Sequence, residues 1–442
     1  MLNITKHTMG LLGFCLLVSA CGQIPAPSVN TPESRITEQE KASDPYFRNL
    51  VIIAPEVTQT PAHAKPGGAW HFDTVITNLA RANGKTAAAF MEEWADYWRY
   101  PQMHNGGDDE VMADAGTAAV LLEAWRGGRM DLIAIVNRID LTRFINNDPS
   151  DEVMAQGEGR LIYELRKAND DILDFTLILE FGLPEAADCA RTCALRSWAR
   201  RWKNLATYPF TGSRYLDALK AITDEFARPE NLRRIRTNDA IGTNFWQMRE
   251  FPYDAQTGLE MKQLAQTPKK KFRETDEGRD ELVKFISDTP GIQSDIIAGT
   301  FIFAENRLGR QLPGLVAEFR ENGSSRWPAQ GTDAGSTRAL NIVAFNTCDG
   351  CHKFNGTKNQ HVRRDFFGYP AVLSPFLLGP SRAPGPLPGC PDSGQAPVCT
   401  ATHWNEKQHR VNFLERHAIG NSEKINVPPG TRLLPALQYR VH

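Results

Sequence analysis

Phe175-Thr176-Leu177-Ile178-Leu179-Glu180-Phe181 is an apolar run of strand length, and its reading decides the fold class. Leu132 to Val136 is a second such run, and Phe245 to Phe251 and Leu50 to Ile53 read as two more strands. Helical patterns lie between them. Lys85 to Tyr100 places Phe90, Trp94 and Trp98 four residues apart, on one face of an amphipathic helix. Asp114 to Arg126 is a helix with Asp114 as cap and Gly127-Gly128 as stop. Ala190 to Leu205 aligns Trp198 with Trp202, and Tyr215 to Phe226 forms a further helix. Strands and helices do not alternate as a parallel α/β fold requires, so the pattern predicts an α+β protein.

The mixed pattern occupies residues 47–275, a first domain to which the sequence assigns no function. Residues 267–280 (TPKKKFRETDEGRD) are dense in charge and read as a solvated linker rather than a basic patch. Residues 276–442 form the second part. A helix begins over Glu281 to Ser287, and another runs from Ser336, its expected N-cap, to Phe345. Residues 379–399 are rich in Gly and Pro and read as a loop. The formal charge of −2 is close to balance and gives no reason to expect a nucleic-acid partner.

The N-terminus reads as a targeting segment. Lys6 supplies positive charge, and Met9 to Ala20 is apolar but too short to span a bilayer as a helix. Leu17-Val18-Ser19-Ala20-Cys21 resembles the lipobox of bacterial lipoproteins. This implies cleavage after residue 20 and diacylation of Cys21; the alternative is an ordinary signal peptide with a chance cysteine. Two acyl chains suffice for stable anchoring. Gly22 follows the cysteine, and by resemblance to lipoprotein sorting rules the lack of Asp there implies the outer membrane. Residues 21–46, rich in Pro, Ser, Thr and charge, read as a disordered tether.

Six cysteines remain beyond Cys21, in three close pairs. In an exported chain the default for a close pair is a disulfide. Cys390 and Cys399 flank a Pro- and Gly-containing loop and fit that default; Cys189 and Cys193, four apart on an expected helix, fit it less comfortably. Cys348-Asp349-Gly350-Cys351-His352 is different, because C-x-x-C-H is the attachment pattern of c-type haem. Two thiols at this spacing reach the two vinyl groups on one porphyrin edge, and the adjacent histidine comes beneath the iron. A haem c, with Cys348 and Cys351 as thioethers and His352 as proximal ligand, is therefore expected, and with it electron transfer to a redox partner protein. The helix that runs into the motif resembles the first helix of small cytochromes c, which implies a mainly helical, loop-rich cytochrome c-like C-terminal region. Two alternatives stand beside it: a disulfide or redox dithiol, which makes the chain a non-redox binding or structural lipoprotein, and a zinc site, which needs more ligands.

A low-spin haem needs a sixth ligand, and no methionine follows His352. The candidates are His361, His403, His409, His417 and His442. His361 lies nine residues on, a chain that extends to roughly 30 Å, and His409 lies on an expected helix. Without any of them the iron is five-coordinate and open to a small ligand. Elsewhere, Gly157-Glu158-Gly159-Arg160 lacks the third glycine of a dinucleotide fingerprint. Arg233, Arg234 and Arg236 with Asn238 read as an exposed helix end, with an anion-binding cluster as the alternative. His71, Asp73 and His104 make no recognised triad, and no G-x-S-x-G, H-E-x-x-H or P-loop occurs.

The stretch Phe345-Asn346-Thr347-Cys348-Asp349-Gly350-Cys351-His352, followed by His361-Val362 and Ala371 to Leu377, resembles a group of uncharacterised bacterial lipoproteins with an N-T-C-x-G-C-H motif. Ile135 to Leu141, Gly157 to Arg160, Ile235 to Asn238 and Met248 to Phe251 are similar to that group as well. The resemblance implies no particular activity. It places a histidine at His361, which puts that residue first among the distal ligands.

Replacing Cys21 with serine is expected to abolish incorporation of labelled palmitate and to leave the leader uncleaved. Label retained by the Cys21→Ser chain would remove Cys21 as the anchor.

Overall fold

The computed structural model describes residues 45–103, 110–111, 113–139, 142–144, 153–155, 157–183, 191–239, 245–261 and 276–288, and short segments between 291 and 418. The chain enters the folded body through helix α1 (Pro45–Leu50), which runs directly into strand β1 (Val51–Ile52). The expected strand over Leu50 to Ile53 is thus reduced to its centre. Next come α2 (Pro55–Thr58), α3 (Phe72–Ala82), α4 (Ala87–Tyr97) and α5 (Ala115–Arg126). Strands β2 (Met130–Asn137), β3 (Glu158–Arg166) and β4 (Ile172–Gly182) follow, then α6 (Arg191–Asn204) and α7 (Ser213–Phe226). Strands β5 (Leu232–Asp239), β6 (Phe245–Asp254) and β7 (Gly258–Leu259) precede α8 (Asp276–Asp288).

The seven strands lie side by side in chain order in one antiparallel sheet, and Phe319–Arg320 (β8) pairs with β6 at Phe245 and Trp246. The protein is a mixture of helix and antiparallel sheet, as expected of α+β. Helix α8 starts within the stretch read as a linker.

The helices begin and end where local chemistry directs. The Thr86 side chain accepts from the Ala89 N–H at 3.1 Å, and Asp114 Oδ1 accepts from Thr117 N–H at 2.8 Å. Each side chain satisfies a donor left unpaired in a first turn. At the end of α5, Gly128 takes φ +63°, open to glycine at little cost. For the helix ahead of the motif the cap is Asp333 and not Ser336. Asp333 Oδ1 accepts from Ser336 N–H at 2.7 Å while Ser336 Oγ accepts from Asp333 N–H at 3.0 Å. This is the reciprocal pairing of a capping box, with serine in the inner position.

Packing explains which sheet face the helices cover. Tyr163 on β3, Phe175 and Phe181 on β4, and Phe251 and Tyr253 on β6 share one face. Above it, Trp98 lies 5.9 Å from Phe175 and 6.1 Å from Phe251, ring centre to ring centre. Phe72 meets Tyr163 at 5.1 Å, and Phe226 meets Phe181 at 5.8 Å. The buried residues of α7, Tyr215, Leu219, Ile222 and Phe226, are spaced four, three and four apart, as an apolar helix stripe must be. Several polar tips of the buried aromatics find partners, although the indole nitrogens of Trp94, Trp98 and Trp202 are buried without a hydrogen bond among the described residues. Trp70 Nε1 donates to Thr223 Oγ1 at 2.6 Å, and Tyr163 Oη donates to the Trp70 carbonyl at 3.1 Å. Tyr253 Oη donates to the Leu79 carbonyl at 3.2 Å, and burial pushes its phenol up to about 12.

Residues on both sides of position 275 share this core. Ala371, Leu377, Val411, Leu414 and Ala418 belong to the same buried cluster as the sheet and its helices. Among the described residues no helix is long and apolar enough to cross a membrane.

Gly159 marks the tightest helix-to-sheet approach. A Cβ there would stand 2.6 Å from the Phe226 ring. Gly159→Ala is expected to lower stability by about 1–3 kcal/mol, the range for overpacking. Adding Phe226→Leu should recover part of the loss in denaturant titrations; identical losses in single and double variants would refute the clash.

Candidate functional site

The opposite face of the sheet carries charge, and it is buried. In register across the strands stand Arg160 on β3, Glu180 on β4 and Arg234 on β5. One row along stand Ile162, Ile178, Arg236 and Glu250, on β3 to β6 in order. Side chains two residues apart share a face, so these rows bring arginines and glutamates together over the centre of the sheet.

The contacts form a continuous lattice. Arg160 Nη2 lies 2.7 Å from Glu158 Oε2 and 3.0 Å from Glu180 Oε1. Arg236 reaches the same Glu180 oxygen at 3.4 Å and Glu250 Oε2 at 2.9 Å. Arg234 joins Glu180 at 3.4 Å and Glu250 at 3.0 Å. Arg138, just beyond β2, is fully buried and donates its N–H to the Glu158 carbonyl at 2.7 Å. The Glu180 side chain is 1% exposed and that of Arg160 3%, whereas Arg234 opens to 27%.

Burial alone would push the Glu180 carboxyl up. The guanidiniums of Arg160, Arg236, Arg234 and Arg138 overcome that and hold it below the usual carboxylate range. For Arg234, burial favours loss of the proton, but Glu250, Glu180 and Glu158 hold the guanidinium charged. A carboxylate kept ionised and guanidiniums kept charged do not exchange protons readily. The lattice therefore supplies a fixed electrostatic field rather than an acid or a base. Among the described residues, no group of three or more His, Cys, Asp or Glu side chains is placed to hold a metal ion.

Arg234, Arg236 and Asn238 stand on strand β5, so the expectation of an exposed helix end there is corrected. Arg236 is 5% exposed and Asn238 3%. The strand escapes a reading by apolar runs because its alternation sets arginines against Ile235 and Thr237. The available signal was that period of two, repeated as Glu158-x-Arg160 on β3. Segments that carry the family resemblance meet here: Ile135 to Asn137 end β2, Glu158 to Arg160 open β3, and Ile235 to Asn238 and Met248 to Phe251 lie on β5 and β6.

Cys21, Cys189, Cys348, Cys351, His352, His361, Cys390, Cys399 and His409 lie outside the described residues, as does His104. Cys193 is in the first turn of α6 by its backbone. The residues that follow two candidate ligands in the chain are described. Val362–Arg363, after His361, pairs with Val372–Leu373 and lies beside β2. Arg410 and Val411, after His409, are helical and buried. That helical stretch meets α6, where Arg200 Nε donates to the Ala418 carbonyl at 3.0 Å and Lys203 lies 3.9 Å from Glu415.

Comparison of the chain with protein-family models, with curated proteins and with solved structures finds no match.

Because the folded Glu180 carboxyl titrates below its unfolded value, the folded state binds fewer protons in that interval. Its stabilisation is fully present above the unfolded value of about 4.3 and is lost as pH falls through the folded one. Glu180→Gln is expected to cost about 3–5 kcal/mol at neutral pH, since it strands buried guanidiniums. It should also flatten the fall of denaturation midpoint between roughly pH 5 and 3. An equally steep fall in both proteins would clear Glu180 of the acid sensitivity.

Proposed function

We propose that the protein is a lipid-anchored electron-transfer protein that binds one c-type haem, exported and held at the outer membrane. The observation that carries this reading is the sequence Cys348-Asp349-Gly350-Cys351-His352 in a chain that begins with a lipobox-like leader. The two features reinforce each other, because haem c is attached outside the cytoplasm. Cys348 and Cys351 would hold the porphyrin through thioethers, and His352 would bind iron from below. His361 is the first distal candidate and His409 the second. When bound, the haem supplies one-electron exchange at its iron.

The body described above supports the reading indirectly. The charges of its buried Arg–Glu lattice are locked in ion pairs, which suits a rigid support better than a hydrolytic site. Val362–Arg363 beside β2 ties the chain just after His361 to the main sheet. The protein's own residues would thus set the height of that histidine through a fixed strand. The finer cytochrome c-like description of residues 276–442 is part of the same proposal.

Expression in a host with haem c maturation machinery gives the test. The expected results are a pyridine haemochrome α-band and an intact mass raised by one haem, both absent from the Cys348→Ala, Cys351→Ala double variant. An unshifted mass, no α-band and thiols that react only after reduction would establish the disulfide alternative. His361→Ala should leave the haem attached and let the reduced protein bind CO. Ready CO binding by the unmodified protein would instead indicate an open sixth position, and a role in binding small ligands.

A further inference from the structure

Asparagine is seldom fully buried, yet two fully buried asparagines stand at the seam where α1, β2 and α6 meet. Asn49 lies on α1 and Asn137 ends β2. Val51 of β1 stands opposite Val136 of β2 in an antiparallel pair. The next residues outward are Leu50 and Asn137, and Asn49 is one step beyond Leu50. Helix α1 packs on both β2 and α6. From α6, Trp198 Nε1 donates to Asn137 Oδ1 at 2.9 Å, and the Trp202 ring lies 5.5 Å from that of Trp198. From α7, Tyr215 Oη donates to Asn49 Oδ1 at 3.0 Å.

These bonds leave donors over. An indole N–H can only donate, so the oxygen of Asn137 must be the atom that meets Trp198, and its amide nitrogen faces elsewhere. At Asn49 the oxygen is likewise taken, by the Tyr215 hydroxyl. Asn49 Nδ2, Asn137 Nδ2 and Trp202 Nε1 are buried and meet no acceptor among the described residues. An N–H withdrawn from solvent without an acceptor forfeits a bond that it makes freely in the unfolded chain. Native interiors meet such groups with ordered water.

We infer that ordered water occupies the seam between α1, β2 and α6 and accepts hydrogen bonds from Asn49 Nδ2, Asn137 Nδ2 and Trp202 Nε1. A small anion is the other occupant that accepts from nitrogens alone. Two cations adjoin the asparagines in the chain, and both are engaged. Arg138 is among the guanidiniums set against the Glu180 carboxylate. Arg48, whose Nε is also buried without an acceptor, has its guanidinium 4.0 Å over the Phe210 ring. An anion in the seam would therefore be a buried charge without a counter-charge of its own. Water brings no charge, and its own hydrogens can go to backbone carbonyls, which have two lone pairs each. Water so placed bridges α1 and α6 to the end of β2.

A crystal structure at a resolution that shows ordered water gives the first test. Water density is expected about 2.7–3.2 Å from at least two of the three nitrogens. A dry seam would overturn the inference, and so would an anomalous peak in the seam after the crystals are soaked in bromide, which marks an anion site. In solution, protein carrying isotope-labelled tryptophan should show a cross-peak between water and the Trp202 indole proton. That cross-peak should reverse sign between laboratory-frame and rotating-frame spectra, which separates bound water from hydrogen exchange. Trp202→Phe assigns the signal by its loss, and the other indole signals, unmoved, show that the fold is kept. If the variant does not fold, the crystal measurement decides alone. A Trp202 indole proton with no sign-reversing cross-peak to water would also reject a water at that nitrogen.

Discussion

Glu180 sits toward the C-terminal end of the middle strand of the main sheet with its side chain 1% exposed. Leaving that charge alone in the interior would cost several kcal/mol, and a protonated form would forfeit its ion pairs. The fold resolves this by bringing arginines from both neighbouring strands to the same carboxylate. Arg160 comes from β3, and Arg234 and Arg236 come from β5. Each of these is itself buried to some degree and must be satisfied in turn, which recruits Glu158 and Glu250. One buried charge thus constrains four strands in register. A slip of one residue in any of them would carry its charged side chain to the aromatic face.

The two faces of the sheet divide the labour. On one, Trp98, Phe72 and Phe226 pack against aromatic and aliphatic strand residues, and apolar burial supplies cohesion. The ion lattice on the other face contributes less net stability than its number of contacts suggests, because desolvation offsets attraction. Its contribution is to favour one register over others. Arg249 shows the division within one strand. It neighbours Glu250 yet points to the aromatic side, with its guanidinium 4.6 Å over the Trp98 ring.

The haem proposal and this body meet through chain segments close to the motif. Val362–Arg363 lies beside β2, and Ala371 and Leu377 enter the common core. Under the proposed function, the anchor would limit diffusion, the sheet would hold position and the motif would supply the chemistry.

Much of this was legible in the residues themselves. The apolar runs at Leu132 to Val136 and Phe175 to Phe181, and the tryptophan spacing in α4 and α6, mark their elements because apolar periodicity is a local property. The C-x-x-C-H pattern is local too, contained within five residues, and the haem it suggests is the proposal made above. The lattice was not legible in this way. Arg234 and Arg236 look like surface charge until Glu180 and Glu250 are brought beside them, and those partners lie 14 to 56 positions away in the chain. Likewise Ser336 has the chemistry of a cap, but the path of the backbone gives that role to Asp333. The sequence by itself determined most of the element types and supplied the motif on which the haem proposal rests. Only the tertiary structure decided which charges are buried, because burial depends on what folds over a residue and not on the residue alone.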